Sequence, residues 1–596
     1  MTDNRQSGSD GLFNSRAEAW TILRKGFNTV FNQNELDTIS RAERTFQKDR
    51  RKIAFLTFEN RLASLGGLAA VMALLPSNLV DSGEDVIIVT PFYNNNPKVK
   101  NEVAAGKFQE IFKNEKFNLC GYSGVVSCYR DTGCNLPAFH IGVQNQFTAV
   151  SNPYAYSKDE KLVMDALVFS AAVPFVMNKL GFKRNILFHA QDWETAPVAI
   201  TSKFALLSGL LEHARTVLTL HNSFDGPLSK EKKRLFFGNN LPGHTVLQCA
   251  IPLLNGPLTT VSSPFARELT NDPLQCTVFT NHLQKLFKSN PPLGIENGLF
   301  GDHSHPFTAN GELQALNGNC DLLVKEKERF RENLEKIIGT ETNPDIIGLL
   351  HFKSKSSKEP IFFMSGRLDL MQKGFDVIFH AFKKLPRGKA KLFFCPSGVG
   401  ENIEKELAFF KKIQIECSGD ITIWPFRIPS EDYREVLRGS SFLVMPSFYE
   451  PFGAATEGFL HGTPVIARAT GGLLVQVKSC SKVPLSGGGN RADFFRKSTG
   501  PTGILFREEC DQMDAKNGWR ECLNQSPDRR IKIKSYRAMV NAAENALKKA
   551  IEIHHDKTVY GNMICNGIQS LENFSWNYAV EKYKTIYDTA SLRGFF

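Results

Sequence analysis

Short apolar runs recur along this chain from residue 52 onward, and helical stretches separate them. Uninterrupted apolar runs of four or five residues are typical of strands buried on both faces of a parallel sheet. One series comprises 53–57, 86–90, 186–190, 217–221 and 258–262, and a second comprises 361–365, 391–395, 421–424, 442–445 and 464–467. Two such series predict two doubly wound α/β domains that face a cleft.

The residues before the first run have a different pattern. Trp20, Leu23, Phe27 and Val30 recur at helical spacing, which predicts an amphipathic helix in an N-terminal extension. We expect this helix to pack on the outside of the core, with docking of a protein partner as the alternative. The Gly-rich, basic segment 484–501 is predicted to be a surface insertion, or alternatively a lid over a ligand.

Composition narrows the class of protein only moderately. With 596 residues, 42% of them hydrophobic and 22% charged, the chain is typical of a soluble protein with more than one core. The net charge of +11 comes from basic residues interleaved with acidic ones, which favours a solvated surface over nucleic-acid binding. The longest apolar stretch, 62–75, is too short to span a membrane.

The N-terminus and the cysteines predict a cytoplasmic location. The chain opens with polar and charged residues, without the apolar core of a secretory signal. The twelve cysteines form no CxxC pair and no metal-binding spacing, which favours free thiols in a reducing compartment. Export without a cleaved signal would leave the same pattern, so it stays open.

Two cations follow the first strand of the second series. Arg367 comes two residues after the run 361–365, and Lys373 lies at the start of a predicted helix. Fixed positive charges near a helix N-terminus suit a pyrophosphate and stabilise the negative charge that builds up as a nucleoside diphosphate departs. We therefore expect Arg367 and Lys373 to bind a diphosphate.

Carboxylates and glycines follow the later strands of this series. Glu450 lies in a tight loop after the run 442–445, and Glu457 lies on the short helix that follows. We expect Glu450 to face a sugar and Glu457 to accept hydrogen bonds from ribose hydroxyls, although a solvated carboxylate is a serious alternative for Glu457. Thr470, Gly471 and Gly472 follow the next strand and would offer backbone N–H groups to phosphate. Together these segments indicate a glycosyltransferase.

The first series carries a matching set of strand-end residues. Gly66 and Gly67 follow the run 53–57, where the backbone could approach a ligand closely. Asp192 follows the run 186–190, and His221 ends the run 217–221. Because the carboxyl ends of parallel strands share one edge of a sheet, we expect Asp192 and His221 to line the same cleft.

With these residues in place, the chain resembles the glycogen and starch synthases, which are retaining glucosyltransferases of the two-Rossmann-domain GT-B type. The similarity runs from about residue 52 to 590. Its motifs, in order, are GGLAAVMALLP, TTVSSPFARELT, GIENGLF, RLDLMQKGFDV, EPFG, RATGGL and FSWNYAVEKYKTIY. In this family the final helix returns to pack on the first domain.

The resemblance implies a metal-free transfer of glucose from ADP-glucose or UDP-glucose to an α-glucan, with retention and without a cofactor. It places Arg367 and Lys373 on the diphosphate, Glu450 beside the glucose, His221 on the sugar and Asp192 on the acceptor side. The implied domains are an N-terminal extension (1–50), an acceptor-side domain (51–340), a donor-binding domain (341–563) and a returning C-terminal helix (564–596).

The chain departs from the family pattern in its first Gly-Gly loop. The family signature Lys-x-Gly-Gly-Leu-x-Asp has Ser64 in place of the lysine and Ala70 in place of the aspartate. The helix after EPFG is one residue shorter than usual, which affects where Glu457 lies. These changes leave two alternatives open: transfer of glucose to a protein, lipid or small molecule, or a catalytically weak protein that binds glucan or a partner.

Overall fold

The computed structural model describes residues 30–147, 151–154, 159–238, 241–301, 304–352, 359–397, 403–483, 500–510 and 512–592. The chain divides into two compact units. The first unit comprises Met1–Thr270, Phe279–Phe300 and Trp576–Phe596, and the second comprises Asn271–Val278 and Gly301–Ser575. Trp20, Leu23, Phe27 and nearly all of the basic insertion lie outside the described residues.

The first unit is built on a nine-stranded sheet with the order β3-β4-β5-β2-β1-β6-β7-β8-β9, in which only β4 runs antiparallel to its neighbours. Its strands are β1 (Lys52–Leu56), β2 (Asp85–Pro91), β3 (Phe108–Leu119), β4 (Tyr122–Asp131), β5 (Ala138–Val143), β6 (Ile186–Gln191), β7 (Ala214–Leu220), β8 (Thr259–Thr260) and β9 (Leu293–Gly294). Strands β6 and β7 are buried along their whole length, which explains their unbroken apolar sequences.

Helices cover both faces of this sheet, as a parallel sheet requires. They are Gln33–Arg44, Gly67–Asp81, Pro97–Ala104, Asp159–Lys179, Asp192–Thr195, Val198–Leu207, Lys230–Phe237, Val246–Ala250, Ser263–Asn271, Gln284–Ser289 and Trp576–Leu592. The last of these packs with Gly67–Asp81 over the central strands, in a core that includes Phe55, Leu75 and Tyr587. His189 on β6 joins the Tyr587 hydroxyl (2.9 Å) and the Thr219 hydroxyl (2.7 Å), which fixes the helix to the sheet.

The described part of the N-terminal extension is tied to the first unit. Helix Gln33–Arg44 begins with a reciprocal capping box between Asn32 and Glu35. Its Glu43 carboxylate lies 2.6 Å from the ammonium group of Lys203, and both side chains are fully buried. A buried pair of this kind strongly disfavours detachment of the helix, because separation would leave an unpaired charge inside the core.

The second unit is built on a six-stranded, all-parallel sheet with the order β12-β11-β10-β13-β14-β15. Its strands are β10 (Ile361–Arg367), β11 (Lys391–Ser397), β12 (Ile421–Ile423), β13 (Phe442–Met445), β14 (Val465–Arg468) and β15 (Gly503–Phe506). Its helices are Ala309–Leu316, Asp321–Thr340, Phe375–Phe382, Ile403–Glu416, Ser430–Gly439, Ala455–Leu460, Leu473–Gln476, Gln512–Leu523, Pro527–Arg530, Lys534–His555 and Lys557–Ser570.

Two boundaries differ from those expected from the sequence. Helix Asp321–Thr340 belongs to the second unit, because Leu334 packs against Gly439 and the Lys327 ammonium group donates to the carbonyl oxygen of Arg438 at 2.6 Å. Apart from the returning segment Trp576–Phe596, the first unit therefore ends at Phe300 rather than at residue 340. The helix that returns to the first unit begins at Trp576, and residues 564–575 remain with the second unit.

The apolar runs in the sequence did not predict strands β3, β4, β5, β9 and β15. Strand β3 exposes most of its residues and lies at the edge of the sheet, so its sequence mixes polar and apolar positions. A search for continuous apolar runs finds only strands that are buried on both faces. Among the described residues, the structure contains no helix long and apolar enough to cross a membrane.

Candidate functional site

The second unit brings Arg367, Lys373 and Glu450 to the carboxyl ends of β10 and β13. The ammonium group of Lys373 lies 2.7 Å from Glu450 Oε2, and the Ser447 hydroxyl donates to the same oxygen at 2.9 Å. Arg367 Nη2 donates to Gln372 Oε1 at 3.0 Å. Both cations are half-buried, so each keeps donors that a phosphate could reach.

The loop that carries Lys373 is shaped by Asp369 and Gly374. Asp369 Oδ1 accepts hydrogen bonds from the backbone N–H groups of Met371 (2.9 Å) and Gln372 (3.1 Å), which closes a tight turn. Gly374 has a φ of +59°, and a Cβ atom there would lie 2.4 Å from the carbonyl oxygen of Pro446. Only glycine lets the Lys373 loop pack this closely on the loop that leads to Glu450.

Gln372 joins the same two loops from another direction. Its carbonyl oxygen accepts a hydrogen bond from the Phe448 N–H at 2.7 Å, while its side-chain oxygen holds Arg367. The sequence analysis did not single out Gln372 or Ser447. Both are polar residues within three positions of a predicted site residue, and this closeness in the sequence could have identified them.

Gly471 and Gly472 have a role that differs from the predicted one. The Gly472 N–H donates to the Glu450 carbonyl oxygen at 2.9 Å, so it is not available to a phosphate. A Cβ atom at Gly471 would lie 1.8 Å from that same oxygen. Thr470 is buried beside them. In this structure the segment therefore supports the backbone of the Glu450 loop.

A buried ion pair lies behind the Glu450 loop. Arg468 Nη1 donates to the Phe448 carbonyl oxygen at 2.7 Å, and its Nε donates to Glu508 Oε2 at 2.9 Å. Burial opposes ionisation of Glu508, but the charges of Arg468 and Arg507 outweigh it and lower the pKa of this carboxyl group. The loop is therefore held by a charge-balanced core.

Glu457 lies on helix Ala455–Leu460, and its charge is the second cause, after burial, that raises the pKa of Tyr433. Its carboxylate makes no hydrogen bond or ion pair with any residue that the structure describes, and burial raises its pKa. A half-buried carboxylate without a partner is suited to accept hydrogen bonds from a ligand. This arrangement is consistent with the predicted ribose contact and does not test it.

In the first unit, Asp192 and His221 meet at the ends of β6 and β7. Asp192 Oδ1 accepts a hydrogen bond from the His221 N–H at 2.6 Å, and Oδ2 accepts one from Asn222 Nδ2 at 3.0 Å. Burial raises the pKa of Asp192 to about 7, although the hydrogen bond from the His221 backbone opposes that shift. Asp192 has a φ of +59°, a left-handed conformation that is strained for most residues and often found at functional sites.

His221 is held as a neutral imidazole. Its Nε2 lies 2.7 Å from the amide oxygen of Gln191, and because that oxygen only accepts, Nε2 carries the proton. Burial lowers the pKa of His221 to about 3. The other ring nitrogen, Nδ1, has no partner among the described residues and can accept a hydrogen bond from a hydroxyl group.

Gly66 and Gly67 begin helix Gly67–Asp81, and a buried carboxylate holds the loop before them. Glu59 Oε2 accepts hydrogen bonds from the N–H groups of Leu65 (3.1 Å) and Gly66 (2.8 Å). The Gly66 N–H is therefore already used. At Gly67 a Cβ atom would meet nothing within 4 Å, so the structure itself imposes no close contact there.

Glu59, Asp192 and Glu194 form a group of carboxylates without a cation. Burial and the charges of Asp192 and Glu59 raise the pKa of Glu194 well above its usual value. Glu194 Oε2 is buried and makes no hydrogen bond. No Lys or Arg of the described chain contributes to the pKa shifts of Asp192 or Glu194, and Ser64 lies exposed where the resembling family has a lysine.

Comparison with known proteins identifies the class. A family model described as glycosyl transferases group 1 matches residues 349–536. The fold of the whole chain is similar to that of the catalytic domain of starch synthase IV from Arabidopsis thaliana, with a TM-score of 0.65 at 20% identity over 91% of this chain and 99% of that one. The protein is a GT-B glycosyltransferase.

The first half of the chain is similar to one group of proteins within this class. A family model described as starch synthase catalytic domain matches residues 52–289. The glycogen synthase of Clostridium botulinum (strain Alaska E43 / Type E3) is 23% identical over 89% of this chain and 97% of its own length. The glycogen synthase of Geotalea daltonii is 25% identical over 90% of this chain and 98% of its own. This glycosyltransferase is thus similar to glycogen synthases over nearly its whole length and to the starch synthase catalytic domain in its first half.

Proposed function

We propose that this protein transfers glucose, with retention, from ADP-glucose or UDP-glucose to the end of an α-glucan. The observation that carries the proposal is the contact of Lys373 with Glu450 beside Arg367, at the carboxyl ends of parallel strands. This arrangement supplies positive charge for a diphosphate and a carboxylate for a sugar in one unit. No metal or cofactor takes part in the proposed reaction.

The reaction breaks the bond between the anomeric carbon of glucose and the β-phosphate oxygen. The electron pair of this bond remains on the nucleoside diphosphate, where Arg367 and Lys373 stabilise the developing negative charge. A hydroxyl oxygen of the acceptor forms the new bond to the anomeric carbon, and its proton passes to the departing β-phosphate oxygen. Glu450, oriented by Lys373 and Ser447, would hold the glucose while positive charge develops on its ring.

The proposed acceptor half uses Asp192 and His221. The neutral His221 ring can accept a hydrogen bond from a sugar hydroxyl at Nδ1, because the proton on Nε2 is already donated to Gln191. Asp192 has a pKa of about 7, so both of its protonation states are accessible near neutral pH. The starch synthase IV domain, which has a similar fold, was solved bound to ADP and acarbose, and this supports an adenine nucleotide and an oligosaccharide as ligands.

A donor-turnover assay tests the proposal directly. Purified protein is offered ADP-glucose and UDP-glucose separately, each with and without glycogen, and release of nucleoside diphosphate and growth of glucan are followed. We expect release that depends on glycogen, together with chain growth, and equal rates with and without a chelator. Absence of release with either donor would contradict the proposal.

Transfer of glucose to a different acceptor is the second candidate function. The cluster of three carboxylates in the first unit favours it. No Lys or Arg among the described residues contributes to the pKa shifts of Asp192 or Glu194, and Ser64 and Ala70 replace the lysine and aspartate of the family signature. Release of nucleoside diphosphate without growth of glucan would support this candidate. Donor binding without any turnover would instead support a binding role. The cytoplasmic location and a partner for the N-terminal helix stay predictions.

A further inference from the structure

The segment 221–226, which follows β7, exposes one aromatic ring beside the proposed acceptor half. Phe224 is 50% exposed, whereas the other five residues of this segment are buried or half-buried. An exposed phenylalanine is not unusual by itself, because much of any protein surface is apolar. The backbone contacts on both sides of Phe224 distinguish it from such a residue.

The first part of the segment is held by Asp192. Its two carboxylate oxygens accept hydrogen bonds from the His221 N–H and from Asn222 Nδ2. Asn222 Oδ1 in turn accepts the Phe224 N–H at 2.7 Å, which closes a turn of the kind that asparagine side chains form. Phe224 follows His221 by three residues, and three residues span at most about 11 Å. The ring is therefore close to both proposed acceptor residues.

The last part of the segment is held from the other side. Asp225 Oδ1 accepts the Leu247 N–H at 3.0 Å, and Oδ2 lies 2.8 Å from His282 Nε2. A Cβ atom at Gly226 would lie 2.4 Å from the ring of Trp193, so the backbone packs directly on that ring. These contacts involve neither face of the Phe224 ring. Removal of the ring should therefore leave the segment in place.

An aromatic ring in this position suits a sugar. A pyranose carries hydroxyl groups around its rim and C–H bonds on its faces. The face of an aromatic ring is partly negative and attracts C–H groups, while its apolar area is removed from water by stacking. His221 offers Nδ1 to a sugar hydroxyl nearby. An apolar platform beside a hydrogen-bond acceptor matches the two kinds of surface that one sugar presents.

We propose that Phe224 binds a glucose unit of the acceptor glucan by stacking on its apolar face. This inference rests on the proposed function and deepens it, because it names a residue that recognises the acceptor chain. The groups proposed to bind the donor, Arg367, Lys373 and Glu450, belong to the second unit. The ring is therefore assigned to the acceptor and not to the glucose of the donor.

The test separates the KM for the acceptor from the KM for the donor. Glucan growth is measured for the natural protein and for Phe224→Ala, with glycogen or maltoheptaose varied at saturating donor, and then with the donor varied. Phe224→Ala should raise the KM for both glucans about tenfold and leave the KM for the donor the same. Phe224→Tyr, which keeps the aromatic face, should restore most of the affinity, and Phe224→Leu should restore less.

Leu235→Ala is the matched control. Leu235 is 43% exposed on another surface of the same unit, where its carbonyl oxygen faces Gly121 in the turn between β3 and β4. Its replacement should change neither KM. An unchanged KM for glucan in Phe224→Ala would overturn this inference and leave the proposed function standing, as would an equal rise in both KM values. A natural protein that releases nucleoside diphosphate without extending either glucan would overturn both the glucan acceptor and this inference.

Discussion

The two candidate half-sites balance their carboxylates in opposite ways. In the second unit, Glu450 contacts Lys373, and Glu508 is paired with Arg468. In the first unit, burial raises the pKa of Asp192 and of Glu194, the charge of Glu59 adds to both shifts, and no described Lys or Arg contributes to either. A diphosphate carries negative charge and needs cations, whereas a sugar hydroxyl needs hydrogen-bond acceptors. The charge pattern therefore supports the proposal that the second unit supplies the main cations for the diphosphate and that the first unit supplies acceptors for sugar hydroxyls.

The largest expected effect comes from removing a cation of the second unit. Lys373→Ala should lower kcat/KM by about 10²- to 10³-fold, because the leaving diphosphate loses one fixed positive charge. Steady-state kinetics with the preferred donor measures the change. Lys412→Ala is the matched control, since Lys412 also pairs with a carboxylate, Asp528 at 3.2 Å, on the exposed surface of the same unit. Equal turnover in a well-folded Lys373→Ala protein would refute the donor assignment.

A smaller change should follow from adding a cation to the first unit. Ser64→Lys restores the charge of the resembling family in the exposed loop before Gly66. We expect the KM for the nucleotide-glucose donor to fall by about tenfold, which is the low end for one charge-assisted hydrogen bond. Ser64→Met adds comparable length without charge and should have little effect. If both variants lower KM equally, the effect comes from packing rather than charge.

The smallest effects should appear in the dependence of stability on pH. Glu194 has a raised pKa, so its contribution to stability is present below its usual pKa and is lost as the pH rises. Glu194→Gln should therefore match the natural protein near pH 4 and be more stable at pH 8. The gain should be about 1–3 kcal/mol, the usual penalty for an unpartnered buried polar group. Thermal unfolding at both pH values measures it.

Glu508 in the second unit should behave in the opposite way. Its pKa is lowered, so it stabilises the fold above its usual pKa and loses that contribution as the pH falls. Glu508→Gln should destabilise the protein most at pH 8 and least near pH 4. The same sign of response in both variants would show that the two units do not differ in charge balance.

Sequence patterns identified the residues that follow strands within a few positions. Arg367, Lys373 and Glu450 were found in this way, and the structure brings Lys373 and Glu450 into contact. Asp192 and His221 were also expected to lie together, and the His221 N–H does donate to Asp192. Such residues are visible because strand ends and turns leave local signals in the sequence.

Contacts between distant segments were not accessible from the sequence. Gly472 was expected to face phosphate, but its N–H is bound to the Glu450 carbonyl oxygen, 22 positions earlier in the chain. Glu194 and Glu59 acquire their importance only because the fold buries them beside Asp192. The compact units differ from the predicted domains at helix Asp321–Thr340, because its amphipathic pattern would suit burial in either unit and the sequence does not show its packing on Gly439.

The return of helix Trp576–Leu592 to the first unit has a consequence for synthesis on the ribosome. The helix covers strands β1 and β6, and its Tyr587 hydroxyl joins His189. Every residue of the second unit is translated before this helix emerges from the exit tunnel. The first unit must therefore wait, with one face of its sheet uncovered, until helix Trp576–Leu592 has been synthesised and has left the exit tunnel. Chaperones that recognise exposed apolar surface would meet the first unit during that interval.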